Sequence, residues 1–236
     1  MSATVGQRVS AVIDMREYAR KARPGQDWFA GRTAPAFADD AVSISAVALR
    51  GTGQVEALGA DECVLVLAGS LQIVSAGGAL RLETEDCGVI PFGTSFTWTA
   101  SDDLLALVYS AATDQPGNST VPLAIDKTAP LNPSNPPALE NLLGEVPTCR
   151  GFSDYVSANR EFCAGTWDST PYHRRRIPYR QVEFMLLLEG SVTFADDEGS
   201  VTFTKGDVCM FVRGDGCSWL SEVYVKKVFA TQRPVA

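Results

Sequence analysis

The chain contains a single histidine, His173, in the stretch PYHRRRIPYRQVEFMLLLEG, Pro171 to Gly190. Three arginines follow it at once, then Tyr179 and Glu183, and Cys217 stands further along. These residue types can do chemistry. Imidazole is the commonest transition-metal ligand. A guanidinium can clamp a carboxylate or phosphate with two parallel hydrogen bonds. Glu183 opens an apolar run, where a carboxylate can be a ligand or, once desolvated, a base. A thiol becomes a nucleophile or ligand beside an electropositive neighbour, and Arg175 is the candidate neighbour for Cys217.

If 171–179 is one strand, side chains alternate between its faces. His173, Arg175, Ile177 and Tyr179 then share one face, and Arg174, Arg176 and Arg180 share the other with Pro178. On this reading His173, Arg175, Tyr179, Glu183 and Cys217 line the mouth of a small-molecule pocket, with no catalytic residue assigned. Each has a plain alternative. His173 can be a polar residue on an exposed strand or loop. The arginines can protect an edge strand against pairing with another chain. Cys217 can be a buried apolar thiol. Pro171 and Pro178 work against a regular strand.

The elements around this stretch read as strands. CVLVLAGSLQIVSAGGALRLE is strand, Gly-Ser corner, strand, Gly-Gly turn, strand, and FMLLLEGSVTFADDEGSVTFTKGDVCMFV follows the same design, with ADDEG as a hairpin turn. The two stretches align at an offset of 121 residues: Glu62 falls on Glu183, Gly69 on Gly190, Gly93 on Gly214 and Trp98 on Trp219. The glycines read as corners with positive φ or close backbone approach, and the tryptophans as core. Between the copies, DQPGNSTVPLAIDKTAPLNPSNPPALENLLGEVP carries seven prolines in 34 residues and reads as an extended connector, with one short helix in PPALENLLG. Helical periodicity is otherwise confined to DMREYARKA, residues 14–22. The expected organisation is an all-β chain of two tandem barrels. A degenerate, structural N-terminal barrel covers 1–112, the connector and leader cover 113–150, and a C-terminal barrel with the candidate pocket covers 151–236.

Composition narrows the partners. Of 236 residues, 45% are hydrophobic and 20% charged, as in a globular protein, so the core is large enough to offset chain entropy. The net charge of −8 disfavours nucleic acid and anionic lipid surfaces. No run approaches the length of a membrane helix, and the opening MSATVGQRVSAV lacks the apolar core of a secretory signal, which points to the cytoplasm. The six cysteines form no CxxC pair and read as free thiols, mostly buried.

These residues resemble the cupins, small β-barrels of jelly-roll type. Glu62 to Gly69 and Glu183 to Gly190 share the Glu-x6-Gly spacing of the first cupin motif, and Pro91-Phe-Gly93 fits the core of the second. The stretches GTWDSTP, EFMLLLEG and GDVCMFVRGDGCSW look like the branch named after (S)-ureidoglycine aminohydrolase, to which ethanolamine-utilisation cupins are related. The resemblance implies two jelly-roll barrels, and in metal cupins a site of three histidines and the glutamate. Here the matching positions hold Ile177 and Tyr179, or Pro171 and His173, and then Cys217, so no three-histidine site can be assembled. His173, Glu183 and Cys217 remain as a mixed N/O/S set for a divalent metal such as zinc, iron, manganese or nickel. The expected function is binding of a small anionic metabolite in the C-terminal barrel without a typical metal site. The alternative is a cupin hydrolase or isomerase acting on a small nitrogenous or carboxylated metabolite. A homodimer is a possible assembly.

Overall fold

The computed structural model describes residues 11–234, and most of the opening segment weighed above as a leader lies outside them. The chain is all-β. Short β-branched runs form the strands because their side chains pack well on a half-buried pleated surface. Contacts divide them into two compact units.

The N-terminal unit is built from Met15–Asp126 and Asp154–Ala164. One sheet runs in the order Leu123–Ala124, Cys87–Ile90, Asp61–Ala68, Leu105–Ala111, Val42–Leu49, Pro24–Gly25. A four-stranded sheet runs Gly51–Val55, Phe96–Ala100, Leu71–Ser75, Gly78–Leu82. Val64, Val66, Ile73, Phe96 and Trp98 meet in the core between them. Trp28, from the loop after the first helix, enters the same core and meets Phe96 edge-on at 5.2 Å.

The C-terminal unit takes the segment ending at Asp14, Lys127–Ser153 and Gly165–Arg233. Its larger sheet runs Val12–Asp14, Val208–Phe211, Val182–Glu189, Val225–Gln232, Phe162–Ser169, Cys149–Val156, Asn132–Ser134. Its four-stranded sheet runs Tyr172–Pro178, Gly216–Ser221, Ser191–Ala195, Ser200–Thr204. The core between them is aromatic: Tyr172, Phe194, Phe203, Phe211 and Trp219, with Trp167 and Tyr179 against it. The units interleave along the chain, whereas the sequence suggests cuts at 112 and 150. Val12–Asp14 pairs with Val208–Phe211, covering backbone that would otherwise be an open edge. Tyr155 donates to Asp61 at 2.7 Å and Phe162 stacks on Tyr109, which ties Asp154–Ala164 to the N-terminal unit.

Local elements follow the sequence with two differences of extent. The first helix covers Met15–Ala19 only, because Asp14 is taken up by the preceding strand and Pro24 follows closely. The connector's helix is one 3₁₀ turn, Leu139–Asn141. The cysteines are free, and all but the half-buried Cys163 are buried. Among the described residues no helix is long and apolar enough to cross a membrane.

The four corner glycines, 69, 93, 190 and 214, all have positive φ, as expected. Gly190 is the tightest: at φ 79° a Cβ would lie 2.0 Å from the Tyr224 carbonyl oxygen. Gly190→Ala should therefore cost about 3 kcal/mol or more of stability, through strain added to the backbone clash. Chemical denaturation measures it, and a loss under about 1 kcal/mol would mean that this corner relaxes freely.

Candidate functional site

The strand Tyr172–Pro178 decides which polar groups enter the C-terminal unit. Tyr172 pairs with Ser221, His173 with Leu220 and Arg174 with Trp219, but the register then slips, and Ile177 pairs with Cys217. Three steps on one strand match two on the other, which is a β-bulge. The bulge reverses the alternation expected from sequence. Tyr172 and Arg174 face inward before it, Ile177 and Tyr179 after it. His173 is half-buried on the opposite face, and Arg175 is exposed. The assignment of His173 and Arg175 to the face of Tyr179 is thus corrected: Arg174 is the interior arginine. Arg176 is exposed, paired with Asp197 and donating to the Gly216 carbonyl at 3.0 Å.

Arg174 is 6% exposed. One terminal nitrogen donates to the Tyr179 hydroxyl at 3.4 Å and to the Cys217 carbonyl at 3.3 Å. The guanidinium carbon lies 5.3 Å from the centre of the Tyr179 ring, which stacks on Phe211. No carboxylate among the described residues pairs with it. Both bonds are long, and the three remaining N–H groups have no protein partner among the described residues.

Glu183 is 6% exposed and buries both oxygens in bonds. Oε1 accepts from Lys227 Nζ at 2.7 Å and Oε2 from the Gln181 amide at 2.8 Å. Lys227 is itself buried, with its ammonium 4.9 Å from the Trp167 ring and 5.4 Å from the Trp219 ring. Cation–π attraction of this kind is worth about 0.5–2 kcal/mol. The ammonium also lies 3.8 Å from Met185 Sδ.

Burial pushes the Cys217 thiol up to about 11, although Arg174 and a hydrogen bond from Tyr179 pull the other way. Burial likewise raises the Tyr172 and Tyr179 hydroxyls well above the ordinary range, again with Arg174 opposing. All three groups are therefore neutral near pH 7. Of the residues singled out in the sequence, Tyr179, Glu183 and Cys217 come together; His173 and Arg175 stay apart from them. Sequence reasoning missed Arg174, Lys227, Tyr172, Trp167 and Gln181. An inward-facing lysine was signalled only by parity, since Val225, Lys227 and Phe229 alternate from a core residue.

The same geometry tests the metal expected of a typical cupin. His173 faces away, Glu183 is paired with the Lys227 ammonium, which would repel a cation, and the Cys217 thiol holds its proton. Among the described residues no group of three His, Cys, Asp or Glu side chains is placed to hold a metal ion. The residues do not fit a divalent metal at this position. In the N-terminal unit Glu62 accepts from Arg32 at 2.8 Å and from Trp28 Nε1 at 2.8 Å. A cleft of about 390 Å³ lined by Lys21, Arg23, Asp27 and Arg32 also lies in that unit.

Two outcomes follow. Lys227→Met or Glu183→Leu alone should destabilise by about 3 kcal/mol, whereas the two together should recover most of it. A denaturation cycle reads this; additive losses would show that the pair is not coupled. For Cys217, the unfolded chain ionises near its ordinary value of 9 and the folded chain only near 11. Its contribution is full below pH 9 and is lost as the pH climbs toward 11. Cys217→Ala should flatten the fall of Tm across that window, and an unchanged slope would assign it to other groups.

Residues 156–229 match the family model described as the EutQ-like cupin domain. No curated protein matches the chain. Among solved structures, a protein of unknown function from Pseudomonas syringae pv. tomato is 29% identical, covering 90% of this chain and 93% of that one at TM-score 0.82. A cupin 2 conserved barrel domain protein from Leptotrichia buccalis covers 98% of this chain and 100% of that one, at 13% identity and TM-score 0.58. The Streptomyces albus HEPD, solved with 2-hydroxyethylphosphonate and Fe(II), is 7% identical over 95% of this chain and 76% of that one, at TM-score 0.55. The last two likenesses concern the fold alone. The chain has a cupin-like jelly-roll fold, and most of the segment that matches the EutQ-like cupin domain, from Gly165 on, lies in its C-terminal unit.

Proposed function

We propose that the chain is a bicupin whose C-terminal unit binds a small anionic metabolite, with Arg174 as the anchor. The observation that carries this reading is the buried guanidinium without a carboxylate partner. Burying an unpaired charge costs several kcal/mol, and a ligand anion offsets that cost. Lys227 and Glu183 cancel each other, so one positive charge is left over in the interior. The favoured ligand therefore bears one negative charge, as a monocarboxylate does. The three open N–H groups of Arg174 suit a planar carboxylate in two-point contact. Tyr172, Tyr179 and Trp219 provide apolar walls for the rest of a small molecule, in the way that ligand pockets pair aromatic lining with a few polar groups. Cys217, neutral, serves as a weak donor.

The expectation from sequence gave this role to Arg175; the bulge, which turns Arg174 inward, supports Arg174 in its place. The test is isothermal titration of the full chain with propanoate and with benzoate. Arg174→Met should weaken binding by roughly thirtyfold, the equivalent of about 2 kcal/mol for a lost charge-assisted contact. Arg175→Met should leave the affinity unchanged. Equal losses in both variants, or no binding of either carboxylate by the unaltered protein, would overturn the reading.

A further inference from the structure

Lys227 is the one buried lysine among the described residues. Its amine stands 2.7 Å from a carboxylate and against two indole faces, so it is a nitrogen nucleophile beside a group able to take and return its proton. The environment is not closed upon itself. Thr231 is the cross-strand partner of Glu183, and its hydroxyl oxygen is buried with no hydrogen-bond partner among the described residues. The Ser169 hydroxyl is likewise buried and unpartnered, two residues along its strand from Trp167 and hence on the same face. Buried hydroxyls without partners are rare and call for an unseen water or ligand. Trp219 connects the two cations: Arg174 is its cross-strand partner, and the Lys227 ammonium lies over its ring.

We propose that Lys227 forms an imine with the carbonyl carbon of a small oxo acid whose carboxylate is held by Arg174. This rests on the anion-binding reading given above and adds the class of substrate. The step balances within the chain's own groups. The Lys227 ammonium gives a proton to Glu183, and the freed nitrogen lone pair forms a C–N bond as the carbonyl π pair moves to oxygen. The proton left on nitrogen passes to that oxygen, giving a neutral carbinolamine. Glu183 then protonates the hydroxyl, which departs as water while the nitrogen lone pair closes the C=N bond. The pair begins as ammonium and carboxylate and ends as iminium and carboxylate, so its charge balance is kept throughout. Trp167 and Trp219 face the cation in both states. Transfer from lysine to glutamate neutralises both partners, and that is least costly when a ligand has displaced water from the site. Thr231, opposite Glu183, supplies a donor for the departing water.

The test is reductive trapping on the full chain. Pyruvate or 4-oxobutanoate is added with sodium borohydride, whose hydride reduces an imine to a stable secondary amine, and peptide mass spectrometry locates the adduct. The expected result is one reduced adduct per chain at Lys227, suppressed by excess propanoate. It should be absent in Lys227→Arg, a variant that keeps the charge and the pairing with Glu183, and slowed in Glu183→Gln. Thermal melting of both variants establishes that they are folded. Adducts spread evenly over exposed lysines such as Lys21 and Lys205, or no adduct at all, would overturn the proposal. If propanoate still binds with Arg174 dependence under those conditions, only the imine falls; if it does not, the anion-binding reading falls with it.

Discussion

Each unit buries a glutamate and answers it with a cation from its own chain. A carboxylate withdrawn from water without a partner would cost more than a domain's whole margin of stability. Glu62 meets Arg32 and Trp28; Glu183 meets Lys227 and Gln181. The two solutions lead to different interiors. In the N-terminal unit one loop supplies both partners, and the same loop drives Trp28 into the core beside Phe96 and Trp98. In the C-terminal unit the cation comes from the central sheet, with Lys227 reaching along the face from opposite Leu187 back to Glu183. Arg174 and Tyr172 are buried in the same unit, with Tyr179 packed against its core.

The arrangement also accounts for the absence of a metal-fitting donor set at Glu183. A metal cation at Glu183 would stand against the Lys227 ammonium, which already holds the place of a counter-charge there. An ammonium at 2.7 Å supplies the positive charge that a carboxylate in such a place requires. It does so through a covalent tether, so no dissociation equilibrium enters. A polar interior of this kind is stable only when its members are satisfied, which is why the orphan hydroxyls of Thr231 and Ser169 stand out against the paired Glu183.

The fold was legible because its signals are local. Glycines at 69, 93, 190 and 214 mark corners that only a positive φ can turn, and the apolar runs beside Glu62 and Glu183 have the lengths of buried strands. The C-terminal grouping of Tyr179, Glu183 and Cys217 was legible for the same reason. The face of the arginines was not. Alternation holds only while register holds, and one extra residue between Arg174 and Ile177 exchanges inside for outside. No residue type in HRRRIP announces the bulge, since every side chain there can be solvated. Lys227 was hidden differently, because two adjacent lysines in VKKVF look like a charged edge until the central sheet claims one of them.

The bulge has an energetic logic of its own. A regular strand would aim Arg175 inward and leave Arg174 in water, or else offer two guanidiniums to one interior. By inserting a residue, the strand admits a single arginine and still returns Tyr179 to the inside, where its ring stacks on Phe211 at 4.3 Å and flanks the guanidinium. Arg176 is kept outside by Asp197 and the Gly216 carbonyl. The three arginines thus have three separate fates: one in the interior, one in open solvent and one fixed at the surface. Charge selection by backbone register is stricter than selection by side-chain rotamer, because shifting the register would move every neighbour on the strand as well. A strand that admits one cation, beside a pair already neutral, leaves a single positive charge in an aromatic interior. That charge is the feature of the fold on which the proposed binding of an anion rests.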